Sequence, residues 1–230
     1  MKKLYTIGFL NHSGFYVELE DCILIFDYYQ DPEQRIDSLL AETTKKVYFF
    51  VSHMHFDHFN PEISRFSDKV EQYFIHKDCI LPEENLGKVC FMSVGEKVVT
   101  STLEVNMFGS TDIGGSFWIE HKDITLFHAG DLNWWHWSGV GDRDNLYFRE
   151  LKKFIGKQVD LLFFPVDARQ EVAREWGVRQ FMEVVKVKKL LIPMHASGEK
   201  WHPSYSFIWR FPDVPIWVPS CDGEVYRGDM

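Results

Sequence analysis

The sequence predicts an α/β (α+β) fold in which sheet packs on sheet and helices lie outside. Two observations lead there. Strand-like runs come first, and strands and helices then alternate. No repeat, linker or low-complexity stretch interrupts them, so residues 1–230 read as a single domain. A chain of 230 residues with 45% hydrophobic side chains is enough for one large core.

Residues 5–9, 15–19 and 23–26 are expected strands. Each is short and rich in β-branched and aromatic residues, with turn signals at Asn11-His12-Ser13-Gly14 and Glu20-Asp21 between them. Residues 32–42 read as a helix, with Asp31 as N-cap and Pro32 at the first helical position. Residues 47–51 form a continuous apolar run, as in a strand buried on both faces. Pro61–Phe66 reads as one or two helical turns. Residues 72–75, Val89–Met92, 97–100 and 102–108 are further strands, and 117–120 pairs with 124–127 around Lys122-Asp123. Residues 144–155 carry a helical apolar pattern. Residues 160–164 form a buried strand stopped by Pro165, and 169–185 is the most regular helical pattern in the chain. Residues 190–192 form a strand ending at Pro193-Met194-His195, and 203–210 a last helix.

The net charge of -9, with no compensating basic run, repels a polyanion, so nucleic acid is not expected as a partner. No apolar run approaches a membrane span, and the N-terminal stretch is too short for a signal peptide. With Cys22, Cys79, Cys90 and Cys221 forming no C-x-x-C pair, a cytoplasmic protein with reduced thiols is the simplest expectation.

His53, His55, Asp57 and His58 fall within six residues, straight after the buried run 47–51. Imidazoles and a carboxylate suit Zn2+ or a similar first-row cation. Positions two apart on an extended strand end share a face, so His53 and His55 can grip one ion. Asp57 and His58 follow where the chain turns and can reach a second position nearby.

The pattern His53-x-His55-x-Asp57-His58 resembles the signature of the metallo-β-lactamase superfamily. Other stretches agree. His128-Ala129-Gly130-Asp131 resembles the strand-end Gly-Asp whose carboxylate bridges two metals. Pro193-Met194-His195 resembles the late histidine that completes the second metal. Gly8-x-x-x-His12-Ser13-Gly14-Phe15, followed by Ile23-Leu24-Ile25-Phe26-Asp27, resembles the opening hairpin of the subgroup containing ascorbate-phosphate lactonase-like proteins. The likeness spans nearly the whole chain and implies a four-layer αββα sandwich. It also implies that His53 and His55 hold metal one, that Asp57, His58 and His195 hold metal two, and that Asp131 bridges. Zn2+ is the implied cofactor, as one or two ions, with Mn2+ and Fe2+ as alternatives.

One position departs from that pattern. The family usually supplies a third histidine to metal one from a Gly-His-Thr-like turn, and Ser110 stands there, in Gly109-Ser110-Thr111-Asp112. A hydroxyl is a poorer zinc ligand than an imidazole. Asp112, His128 and His136 are candidate replacements. Otherwise a single ion serves, or the site is degenerate. Asp27, at a strand end, is a candidate to fix a ligand histidine's tautomer, and His12 has similar standing.

Trp134, Trp135 and Trp137 crowd behind Asp131, and Trp201 and His202 follow His195. These rings cap the core or wall a substrate pocket. Arg169 is expected to pair with Asp167, with an anionic ligand as the alternative.

The expected function is hydrolysis of a small-molecule ester, lactone, amide or phosphodiester through metal-activated water, with Asp57 orienting the water and shuttling a proton. The competing reading is a catalytically degenerate metal- or ligand-binding protein on the same fold. A redox role is disfavoured because Met54 and Phe56, inside the cluster, are apolar where di-iron members usually carry an acidic residue.

Overall fold

The computed structural model describes residues 4–122, 124–136, 141–196 and 198–229. The elements are, in order, β1 (Leu4–Asn11), β2 (Gly14–Glu18), β3 (Cys22–Phe26), α1 (Arg35–Glu42), β4 (Lys46–Val51), β5 (Val70–His76), β6 (Val89–Met92) and β7 (Lys97–Val99). There follow β8 (Glu104–Gly109), β9 (Gly115–His121), β10 (Ile124–His128), α2 (Gly141–Leu151), β11 (Gln158–Pro165), α3 (Trp176–Val184), β12 (Lys186–Met194), α4 (Tyr205–Arg210) and β13 (Val225–Asp229). The expected α/β class is what the chain adopts, with two large mixed sheets. By internal contacts the chain divides into two compact units, Met1–Ser93 with Pro219–Met230, and Val94–Val218, and each holds one sheet.

The first unit carries seven strands in the order β13-β1-β2-β3-β4-β5-β6. Pairing is antiparallel from β13 to β3 and parallel from β3 to β6. The central strands β3 and β4 are buried on both faces, which is why their sequences are almost continuously apolar. One face packs Ile23, Ile25, Val47, Phe49 and Ile75 against Ile36 and Leu40 of α1. On the other, Phe26, Phe50 and Phe74 sit in register on adjacent strands and stack at 4.9 and 5.2 Å. Such cross-strand aromatic pairs add roughly 0.5–1.5 kcal/mol each beyond their burial. They hold in register the strands that deliver the histidine cluster.

The helix expected at 32–42 begins only at Arg35, because Gln34 adopts a left-handed backbone, φ 50°. Asp31 still serves its start: its carboxylate accepts the amides of Arg35 and Ile36 at 2.9 and 2.7 Å. The terminal strand β13 was not expected from Val225-Tyr226-Arg227-Gly228-Asp229, which has no apolar alternation. It forms because the antiparallel edge of β1 accepts it, from Leu4↔Asp229 to Gly8↔Val225.

The second unit carries six strands in the order β12-β11-β10-β9-β8-β7. Here β10, β11 and β12 are parallel and β7 to β10 antiparallel. The hairpin expected around Lys122-Asp123 is present, with Ile124 opposite His121, although Asp123 lies outside the described residues. Phe127 packs at 5.0 Å from both Phe154 and Phe181, joining the sheet to α3.

The single helix expected over 169–185 is broken. Ala168–Ala173 forms a 3₁₀ turn capped by Asp167, and Glu171, at φ 49° and ψ -117°, cannot continue a helix. Only Trp176–Val184 is α-helical. In this turn Gln170 meets the loop after β10, accepting from Asn133 at 2.9 Å and donating to the Trp134 carbonyl at 2.8 Å.

Candidate metal centre

In the first unit, the C-terminal ends of β3 and β4 lie side by side, and both deliver polar residues into a buried setting. Asp27 follows β3 and is 1% exposed. Its backbone is left-handed, φ 40°, an uncommon state for a non-glycine residue, and its amide donates to the Phe50 carbonyl at 2.9 Å. Its carboxylate accepts three hydrogen bonds: from the Ser52 amide at 2.8 Å, the Ser52 hydroxyl at 2.7 Å, and His58 Nδ1 at 2.7 Å.

Those bonds decide proton positions. An ionised carboxylate only accepts, so His58 carries its proton on Nδ1 and presents the lone pair of Nε2. The Ser52 hydroxyl spends its proton on Asp27, so its oxygen accepts from His53 Nδ1, 2.9 Å away. One carboxylate therefore sets the tautomer of two histidines, directly for His58 and through Ser52 for His53.

After His53 the chain turns back, with the amides of His58 and Phe59 donating to the His55 carbonyl at 3.0 and 2.9 Å. That turn gathers the rings. His53 lies 4.1 Å from His58 and 4.7 Å from His55, centroid to centroid. His53 and His58 are fully buried, whereas His55 is exposed and Asp57 half-buried. The β1–β2 hairpin brings His12 to the same place, its Nε2 3.6 Å from Asp57 Oδ2.

The second unit repeats this logic. β10, β11 and β12 are parallel neighbours, and their C-terminal ends lead to Asp131, Asp167 and His195. Strand carboxyl ends are where open α/β sheets place ligands. His195, at φ 57°, directs Nδ1 to Asp167 Oδ2 at 2.9 Å and lies 3.3 Å by Nε2 from Asp131 Oδ1. Arg169 grips the same Asp167 carboxylate through Nε and Nη2, at 2.9 and 2.6 Å from Oδ2. Burial opposes charge on Asp167, but the bonds from His195 and Arg169 outweigh it and hold its pKa down at about 2. Asp131 is positioned through its backbone: its carbonyl accepts from Trp135 Nε1 at 2.8 Å and from the Thr111 hydroxyl at 3.0 Å.

Ser110 is buried, and its hydroxyl accepts the Asp112 amide at 3.3 Å. Neighbouring Thr111 makes the contact to Asp131, so the turn that lacks a histidine is still tied to the loop after β10. His128 is buried, its Nδ1 accepting from the Gly130 amide at 3.3 Å. His136 is exposed and packs at 4.8 Å on Trp176. Trp135 is buried against His195 at 5.1 Å. Trp134, Trp201 and His202 line a cleft of about 730 Å³ with Arg174 and Arg179, to which neither Asp131 nor His195 contributes. Trp137 lies outside the described residues.

The donor chemistry of both sets fits a divalent first-row cation, since neutral imidazoles and ionised carboxylates are its usual ligands. Spacing agrees. Two atoms each about 2.05 Å from one tetrahedral ion lie about 3.3 Å apart. The separations of 3.3 Å for His195–Asp131 and 3.6 Å for His12–Asp57 match this better than a charge-assisted hydrogen bond.

No protein-family profile matches this chain, and no curated protein matches it. Solved structures do. A metallo-hydrolase from the archaeon Ignicoccus hospitalis, Igni18, is similar over 99% of both chains, with 13% identity and a TM-score of 0.66. YhfI of Bacillus subtilis, described as a metallo-β-lactamase fold protein, is similar over 99% of this chain and 100% of its own, with 13% identity and a TM-score of 0.61. This chain has the metallo-β-lactamase fold. The di-iron β-hydroxylase CmlA of Streptomyces venezuelae is also similar over 100% of this chain and 54% of its own length, at 11% identity and a TM-score of 0.63.

Within the fold, His12, Asp27, His53, His55, Asp57 and His58 gather in the first unit, and Asp131 and His195 in the second. Arg169 pairs with Asp167, as expected. Sequence reasoning missed two positioning side chains. Ser52 precedes the cluster immediately, and a hydroxyl at the end of a buried strand was the available signal. Asp167 was read only as the partner of Arg169, although it also follows a buried strand end.

Proposed function

We propose that this protein is a metal-dependent hydrolase of small molecules, with His53, His55, Asp57, His58, Asp131 and His195 as its metal ligands. The observation that carries the reading is the recurrence of one device, a buried carboxylate that accepts a hydrogen bond from the Nδ1–H of a histidine beyond the next parallel strand, at Asp27–His58 and at Asp167–His195. Such support makes the imidazole a better ligand and fixes its orientation. The similarity of fold to Igni18, described as a metallo-hydrolase, supports the same reading.

When bound, the metal supplies Lewis acidity, polarising a carbonyl or phosphoryl oxygen and acidifying nearby water. The chain's own residues do the rest. Asp57, half-buried and at the turn, holds the attacking water's proton and passes it on. Asp27 and Asp167 keep the histidines in the ligand tautomer. Zn2+ suits the donor set best, with Mn2+ or Fe2+ as alternatives. Ester, lactone, amide and phosphodiester bonds all suit this chemistry. The opening hairpin supports a place near the ascorbate-phosphate lactonase-like subgroup. The net charge of -9 argues against nucleic acid.

The test is metal analysis of the purified protein with a panel of ester, lactone, amide and phosphodiester substrates, on the native chain and on Asp131→Ala. The expected result is bound metal and hydrolysis in the first and loss of both in the second. Full metal and activity in Asp131→Ala would remove Asp131 from the site. Metal without hydrolysis of any class would instead favour a binding protein.

A further inference from the structure

The β1–β2 hairpin places a histidine where hairpin chemistry does not ask for one. His12 is the first residue of a two-residue turn, and its backbone is left-handed at φ 53°. Glycine or asparagine takes that conformation at little cost, and histidine takes it less readily. The turn is held firmly. Asn11 Nδ2 donates to both carboxylate oxygens of Asp222 at 3.2 Å, and Gly223 donates to the Phe9 carbonyl at 2.8 Å. At Gly14 a Cβ would fall 3.0 Å from the Asp27 carbonyl oxygen, so glycine lets the hairpin settle against the residue that orients His58.

The side chain this backbone carries is directed inward. His12 is 12% exposed by side chain. Its ring stands edge-on to His58 with centroids 5.5 Å apart. His12, Asp57 and His58 each offer one ligand atom, and these lie within 4.8 Å of one another. The His12–Asp57 separation of 3.6 Å exceeds the 2.7–2.9 Å or so of an ion-paired hydrogen bond and is close to that of two ligands on one ion.

We infer that His12 is a ligand of the same metal as Asp57 and His58, so that this position is held by three side chains of the first unit and fills before any other. The inference rests on the metal-centre reading above and extends it, since the resemblance that supplied the other ligands assigns His12 no such role. It also gives the chain a remedy for Ser110. Where one metal position is short of an imidazole, the other has gained one, and a state with a single ion is favoured at limiting metal.

The experiment titrates metal-free protein with Zn2+ and Co2+, comparing the native chain with His12→Gly and His12→Asn. Both replacements suit a positive φ, so the metal-free variants should melt within a few degrees of the native chain. Expected is a rise of about tenfold or more in Kd for the first ion. X-ray absorption at one equivalent of Zn2+ should show one imidazole fewer in each variant. Long-range 1H–15N spectra of the native chain, independent of any variant, should show His12 Nε2 moving to the shift of a zinc-ligated nitrogen at that equivalent. An unmoved His12 resonance, or an unchanged Kd and imidazole count in the variants, overturns the inference and leaves the hydrolase reading standing. A native chain that binds neither ion overturns both.

Discussion

His195 and Asp167 lie just past neighbouring parallel strand ends, with Nδ1 2.9 Å from Oδ2, and Arg169 donates to both oxygens of that carboxylate. The arrangement matches that of His58 and Asp27, also from adjacent parallel strands, at 2.7 Å. Parallel pairing puts successive strand ends at one edge, so an acid on one strand meets an imidazole from the next. Asp167 stays charged because the bonds from His195 and Arg169 outweigh its burial, and a carboxylate that accepts an Nδ1–H fixes the orientation of the ring that donates it.

Replacing Asp167 by Asn keeps the shape and removes the charge. Metal affinity at His195 should fall about 10- to 100-fold, by calorimetric titration with Zn2+. An unchanged affinity would show that Asp167 serves Arg169 alone.

Asp27→Asn should act on both stability and metal. The amide cannot accept from Ser52 and His58 as the carboxylate does. Leaving one buried donor unsatisfied costs about 1–3 kcal/mol, read as a lower denaturant midpoint of the metal-free protein. Zn2+ affinity should fall with it, because His53 and His58 both lose their fixed tautomer. A midpoint equal to that of the native chain would count against the three-bond assignment.

Ser110→His should raise zinc stoichiometry at limiting free metal. The position is buried and its neighbour Thr111 binds the Asp131 carbonyl, so the turn already stands beside a ligand. The native chain should titrate as one tight and one weak site, and the variant with the weak site tightened. Two equally tight sites in the native chain would mean that another group has replaced the missing histidine.

Gly177→Ala tests the support of the Asp131 loop. A Cβ there would fall 1.8 Å from Asn133 Oδ1 and 2.9 Å from the Trp134 amide nitrogen. Overpacking of this kind costs about 1–3 kcal/mol. Thermal melting should drop accordingly, and zinc binding should weaken because Asn133 lies two residues from Asp131. A variant as stable as the native chain would place this contact wrongly.

Acid stability should depend on Glu175. Burial opposes its charge, yet bonds from Ser204, Trp201 and Arg179 hold its pKa below the ordinary glutamate value. Its folded value being lower, the stabilisation is complete above the unfolded value, about 4.3. It is lost as pH falls through the folded value. Glu175→Gln should therefore lower stability at neutral pH and flatten its decline below pH of about 4.5. A denaturation profile parallel to the native one throughout would contradict this.

The class of the fold, most of its strands and the histidine cluster were legible in the sequence because each is written locally. Continuous apolar runs mark strands buried on two faces, and four donors in six residues need no partner to be noticed. Asp27 was legible as a support because it ends such a run. What stayed hidden depends on neighbours far along the chain. Nothing local to Val225–Asp229 reads as a strand; the open edge of β1 makes it one. Glu171 breaks a regular helical pattern in the turn where Gln170 meets Asn133, 37 residues earlier. Asp167 looked like the partner of Arg169 until the register of β11 and β12 set it beside His195, 28 residues on. Local propensity and periodicity choose an element, but which side chain completes another's hydrogen bonds is settled by strand order and register, which only the tertiary structure decides.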